Sequence, residues 1–180
     1  LCWFLLTSFV LLADEKESHK SDYTGEVDGV IKSLSANDIK DLTLGNGMGL
    51  AKAAELNGYP GPKHVLEMQE ELLLEKEQLT SIKLIFEEMK SQARSQGKIF
   101  ISLEKSLNDH FSNATITNDT LESTLKNISE AKNNLRYINL SAHIKTTEIL
   151  SKNQIKKYNQ LRGYSNNPCE KIPEGHNKEM

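Results

Sequence analysis

The residues best suited to chemistry in this sequence are two histidines and a pair of adjacent carboxylates. They are His64, His143 and Glu87–Glu88, with Met68 four residues after His64 and Asn139 four residues before His143. On a helix, a spacing of four stacks two side chains on one face, one turn apart. Imidazole and carboxylate with a thioether nearby suit a divalent transition metal, Ni, Co, Cu or Zn. The candidate metal ligands are therefore His64, Met68, Glu87, Glu88 and His143. The plainer alternative is that His64 only follows a proline turn and His143 is a half-buried polar residue. Catalysis finds little support. No Ser or Cys nucleophile stands in a recognisable turn, and there is no H-E-x-x-H or paired-cysteine zinc pattern, so no catalytic residue is assigned and no enzyme is expected.

Whether those ligands can meet depends on the elements that carry them. From Pro62 onward the pattern is almost wholly helical. Ile82, Phe86, Met89, Ala93, Phe100, Leu103 and Leu107 step by three and four, interrupted only at Gln96 or Gly97. "SNATITND" breaks the run. A second stripe follows at Leu121, Leu125, Ile128, Leu135, Ile138, Ala142 and Ile149. The spacing predicts an all-α chain, a long antiparallel helical hairpin with a shorter helix at each open end. If the hairpin turns near residue 115, His143 lies level with about residue 87. If the short helix before it folds back near residue 74 or 75, His64 reaches the same height.

"GNGMGLAKAAELNGYPGPKH", residues 45–64, holds five of the ten glycines. A phosphate-cradling dinucleotide loop would need a strand before it and a βαβ unit around it. Instead, Ser35 with Asp38 forms a capping-box start, Ile39 and Leu42 recur at helical spacing, and Gly45 offers a left-handed stop. The glycines read as helix punctuation, and Pro62 suits the first position of the next helix.

Composition narrows the rest. The chain has 180 residues, 26% charged and 37% hydrophobic, with a net charge of −3 and 6% aromatics. That allows one domain with a modest Leu/Ile/Ala/Met core, and no dense basic block points to nucleic acid. "LCWFLLTSFVLLA", residues 1–13, resembles a signal peptide, too short at roughly 20 Å to cross a ~30 Å bilayer core. An uncleaved anchor with missing upstream residues is the alternative. Residues 14–27 read as a flexible lead-in, 28–164 as the helical domain and 165–180 as a disordered tail. Cys169 would then have no disulfide partner. Sequons at Asn113, Asn118, Asn127 and Asn139 carry little weight in a chain so rich in Asn and Ser/Thr. The second arm of the hairpin is mildly basic.

Two short pieces now matter together. "LSKNQ", residues 150–154, and "LEKEQ", residues 74–78, fit the L-[T/S]-x-x-Q pattern, the latter with Glu75 in place of Thr and so a weakened cap through which the helix could run. With "GMGLAKAAELNGYPGPKHVLEM" and "YNQLRGY", residues 23–164 resemble the Spy/CpxP family of bacterial periplasmic proteins, in the branch labelled periplasmic heavy-metal sensors. The resemblance implies a hook-shaped protomer, an antiparallel homodimer and export to the periplasm, with no membrane contact beyond the signal segment. It also implies an ATP-independent chaperone or envelope-stress adaptor that holds unfolded or sensor proteins, or else a metal sensor. A nickel–cobalt sensor in the family draws ligands from the same three helices, with a His/Met pair four apart on the third. Here that pair reads Asn139 and His143, and Asn is a poor ligand.

Overall fold

The computed structural model describes residues 19–164. The apolar start, residues 14–18 of the lead-in and the tail lie outside them. After a 3-10 turn at Asp22–Gly25 come α1 (Ala36–Leu44), α2 (Lys52–Glu55), α3 (Pro62–Glu67), α4 (Lys76–Ser112), α5 (Asn118–Ile149) and α6 (Lys152–Leu161). The fold is all-α. Its frame is the hairpin of α4 and α5, 37 and 32 residues long, or about 55 and 48 Å at 1.5 Å per residue. The break expected at "SNATITND" is a tight turn. Ala114 takes a left-handed φ of 53°, and the Thr117 hydroxyl caps the Thr120 amide to start α5.

The predicted caps form as well. Ser35 and Asp38 close a capping box on α1, and Gly45 ends it at φ 68°. Ser151 and Gln154 do the same for α6, and Pro62 occupies the first turn of α3. One expectation is corrected. The chain does not run helically through "LEKEQ", because Leu73 turns left-handed at φ 50° and Glu75 is extended. Gln78 holds this start of α4 from inside the helix, since its Oε1 accepts the Glu75 amide at 3.1 Å. The Gln78 and Gln154 side-chain amides also hydrogen-bond each other reciprocally, at 2.9 and 3.0 Å. Gln78 Nε2 donates to the Ile149 carbonyl and Gln154 Nε2 to that of Leu72. The two similar pieces are thus the two halves of one clasp at the open end of the hairpin.

Two apolar clusters fill the molecule. One, at the open end, joins Val65, Leu72, Ile82, Leu150, Ile155 and Tyr158. The other, nearer the turn, joins Leu42, Phe100, Ile128, Ala131 and Leu135. α1 reaches the second cluster by lying very close to α4 at glycine. A Cβ added to Gly97 would sit 2.4 Å from the Leu42 carbonyl oxygen, and one on Gly45 would sit 2.8 Å from that of Lys90. The glycine that interrupts the apolar stripe of α4 is therefore where its neighbour docks. Backbone meets backbone there, so nothing can move aside cheaply. Gly97→Ala is expected to lower stability by about 1–3 kcal/mol, the usual cost of overpacking a close contact. Urea unfolding of the two proteins measures it, and an unchanged midpoint would disprove the close docking of α1.

Candidate functional site

Between the two clusters the buried positions of α5 become mostly polar. Asn139, His143, Thr146 and Thr147 are all at most 8% exposed. The threonines satisfy themselves, each hydroxyl bonding the carbonyl one turn back at 2.7 Å. Asn139 Nδ2 does likewise to Leu135. Its Oδ1 turns toward the Gly47 loop, 3.6 Å from where a Cβ on that glycine would lie. His143 is the exception, because its partners come from other elements. Here the hairpin opens into a cavity of about 560 Å³, walled by the 45–49 loop, α2, the start of α3, α4 at Phe86, Met89 and Lys90, and α5 at Asn139 and His143.

The anchor of this region is Glu55, the last residue of the four-residue α2. Its side chain is 12% exposed. Three donors converge on Oε1: the Tyr158 hydroxyl at 2.6 Å, the Tyr164 hydroxyl at 3.1 Å and Arg162 Nε at 3.3 Å. Tyr158 OH in turn accepts the Gly61 amide at 3.4 Å. Burial first, and then the bond to Glu55, raises the Tyr158 pKa well above the ordinary phenol range. The phenol therefore stays a donor. Glu55 Oε2, by contrast, is buried without a hydrogen-bond partner, and His143 Nδ1 stands 3.6 Å from it.

His143 Nδ1 lies 2.8 Å from the Tyr59 carbonyl oxygen. A carbonyl only accepts, so Nδ1 carries the proton and Nε2 keeps the lone pair. The ring packs flat enough on the chain that a Cβ at Gly61 would meet Nε2 at 2.9 Å and Cε1 at 2.8 Å. Glycine is required there by close approach. Burial holds the imidazole below its usual range against the opposing pull of Tyr59 and Glu55, and nearby His64 pushes it the same way as burial. His64 itself pairs through Nδ1 with Glu67 Oε2 at 2.8 Å, and that bond lowers the Glu67 pKa.

The predicted metal ligands are brought together only in part. His64 and His143 share the cavity, and α4 passes it at residues 86–90, so the helices meet at the expected height. The face is different. Phe86, Met89 and Lys90 point in, which leaves Glu87 and Glu88 exposed, roughly a quarter-turn or more round the helix. Glu88 lies 3.6 Å from Lys145 in a separate groove. Met68 packs on the open-end apolar cluster. The expected three-helix centre is therefore corrected, and among the described residues no three His, Cys, Asp or Glu side chains are grouped to hold a metal ion. The donors present do not fit a resident metal. The carboxylate beside His143 is Glu55, which sequence reasoning missed because a single acid in "KAAELN" carries no spacing signal. The Tyr158/Arg162/Tyr164 set was visible only as "YNQLRGY".

No protein-family model, curated protein or solved structure matches this chain.

The network separates two effects. Glu55→Leu leaves the fully buried Tyr158 hydroxyl without its acceptor and should cost about 2–3 kcal/mol, whereas Tyr158→Phe removes one of three donors and should cost about 1 kcal/mol. Arg162 is part-exposed, and water can replace its partner. Equal losses in the two variants, measured by denaturant unfolding, would contradict Glu55 as the convergence point. The His143 shift sets a pH dependence. With a lower pKa folded than unfolded, this imidazole takes up its proton in the unfolded chain first. Its contribution is complete above about pH 6.5 and is lost as pH falls through the folded value. Thermal unfolding at a series of pH values should show that loss in the wild type and much less of it in His143→Asn.

Proposed function

We propose that this chain is a periplasmic, non-enzymatic helical protein of Spy/CpxP type, holding other polypeptides without ATP as a chaperone or envelope-stress adaptor. The observation that carries this reading is the uncovered side of the hairpin. α1 and α3 pack against α4, and α2 and α3 against α5. The shallow groove lined by Ile85, Glu88, Met89 and Gln92 of α4 and Ile138, Ser141, Ala142 and Lys145 of α5 takes no lining residue from any other helix among the described residues. Beside it on α4, Leu84 is 68% exposed and Ile99 48%; further round α5, Tyr137 is 70% exposed and Ile144 50%. Large apolar side chains bordered by charge, on a rigid and elongated surface, suit weak capture of unfolded chains. The same surface would accept a second copy of the chain in an antiparallel homodimer. The clasp formed by Gln78 and Gln154 supports the family resemblance, because it gives both of its short motifs a shared structural task. The metal-sensor reading has less support, since the required ligands are not gathered.

The test is aggregation suppression of an unrelated unfolding protein, without ATP, at several-fold molar excess of the purified domain. Suppression is expected, weaker at high salt and weaker when Lys145, Lys156 and Lys157 are changed to Glu. Tyr137→Asp with Ile144→Asp should reduce it further. Sedimentation of the same samples at tens of micromolar should show a dimer. Absence of suppression from the wild type would remove the chaperone reading.

A further inference from the structure

A second concavity lies between α2 and α5. It is a cleft of about 460 Å³ lined by Gly49, Leu50, Lys52, Ala53, Ser129, Lys132, Asn133 and Arg136. The four α5 residues occur at intervals of three, one and three, so they form one face of the helix. All four carry hydrogen-bond donors, and no acid lines the cleft. Here none of Lys52, Lys132 and Arg136 takes part in an ion pair among the described residues.

The Lys52 side chain runs beside Gly49. A Cβ on Gly49 would lie 3.2 Å from its Cε and 3.6 Å from its Cδ. The lysine stem therefore lies across the glycine at φ 71°. One cation comes from α2 and two from α5, so positive charge borders the cleft on both walls. The neutral donors Ser129 and Asn133 line the α5 wall beside them. Lysine supplies point charges and arginine a planar fork with parallel N–H groups, a combination suited to a tetrahedral oxyanion with several acceptor oxygens.

We propose that the cleft between α2 and α5 is a binding site for a phosphate group, recognised by Lys52, Lys132 and Arg136. The site is distinct from the uncovered groove on which partner holding rests, and it stands whether or not that reading does.

The test follows the backbone amides of the isotopically labelled full chain by NMR during titration with sodium phosphate. Sodium chloride at matched ionic strength is the control for screening. Saturable shifts are expected at Gly49, Lys52 and residues 129–136. Lys132→Gln with Arg136→Gln should weaken binding about tenfold or more, from the loss of two charge-assisted contacts. Those side chains are exposed, so the double variant should keep its melting temperature and serve as a fair comparison. Lys98→Gln, on the other arm, should bind like the wild type. Titration with glycerol 3-phosphate separates the two sources. Tighter binding than inorganic phosphate would assign the site to a phosphate carried on a larger molecule, and weaker binding to the free ion. The proposal is overturned if chloride reproduces the shifts or if the double variant binds phosphate equally. It is also overturned if an oligoglutamate peptide binds the cleft and phosphate does not.

Discussion

A helix of four residues has no stability of its own, because nucleation fixes several residues for a single hydrogen bond. α2 is such a helix, and it persists because Glu55 at its end is gripped by three donors, all from the last seven residues described. The same carboxylate stands beside His143 on α5. One side chain therefore ties the early loop, the second arm of the hairpin and the C-terminal helix together. Without it α2 would lie on the hairpin with only Ala54 buried. The cavity and the cleft both take α2 as a wall, so both depend on that grip.

Concentrating three donors on one oxygen has a consequence for the other. Oε2 is buried and without a hydrogen-bond partner, and the nearest candidate, His143 Nδ1, is already committed to Tyr59 at 2.8 Å. Buried acceptors left unpaired are costly, yet here the charge on Oε1 is well compensated. Protonating His143 would improve the pairing with Glu55 but must overcome its own desolvation. The lowered His143 pKa says desolvation wins. The imidazole therefore works as a neutral hinge-pin, donating to Tyr59 and resting on Gly61. It does not act as half of an ion pair.

Much of the fold was legible because it rests on local rules. The two long helices follow from apolar steps of three and four, the two ends of α1 from Ser35 and Gly45, and the starts of α3 and α6 from Pro62 and Ser151. The heights at which His64, residue 87 and His143 meet also followed from the turn position. What failed was rotation. Residues 86, 89 and 90 face inward and residues 87 and 88 outward, a difference of about 100° per residue that no estimate of height can resolve. Gly97 was misread for a related reason. In sequence it breaks an apolar stripe, whereas in space it admits the Leu42 carbonyl, a contact across 55 residues that no periodicity encodes. The role of Glu55 depends on Tyr158 and Tyr164, separated from it by more than 100 residues.

The two concavities that α2 borders are then opposite in character for one physical reason. Glu55 must face the aromatic and guanidinium donors of the C-terminal segment, so its carboxylate is consumed there and cannot neutralise charge elsewhere. Lys52, three residues earlier and close to the same helix face, reaches both concavities, lining the cavity beside Glu55 and the cleft beyond Gly49. A cation at that boundary gains little from Glu55, whose oxygens are occupied or turned toward His143. It remains available to the cleft, where Lys132 and Arg136 repel it unless an anion lies between them. A bound anion would thus pull the α2 wall toward α5 from one side while Glu55 holds it toward α6 from the other. α2 is the element through which the two concavities would sense each other.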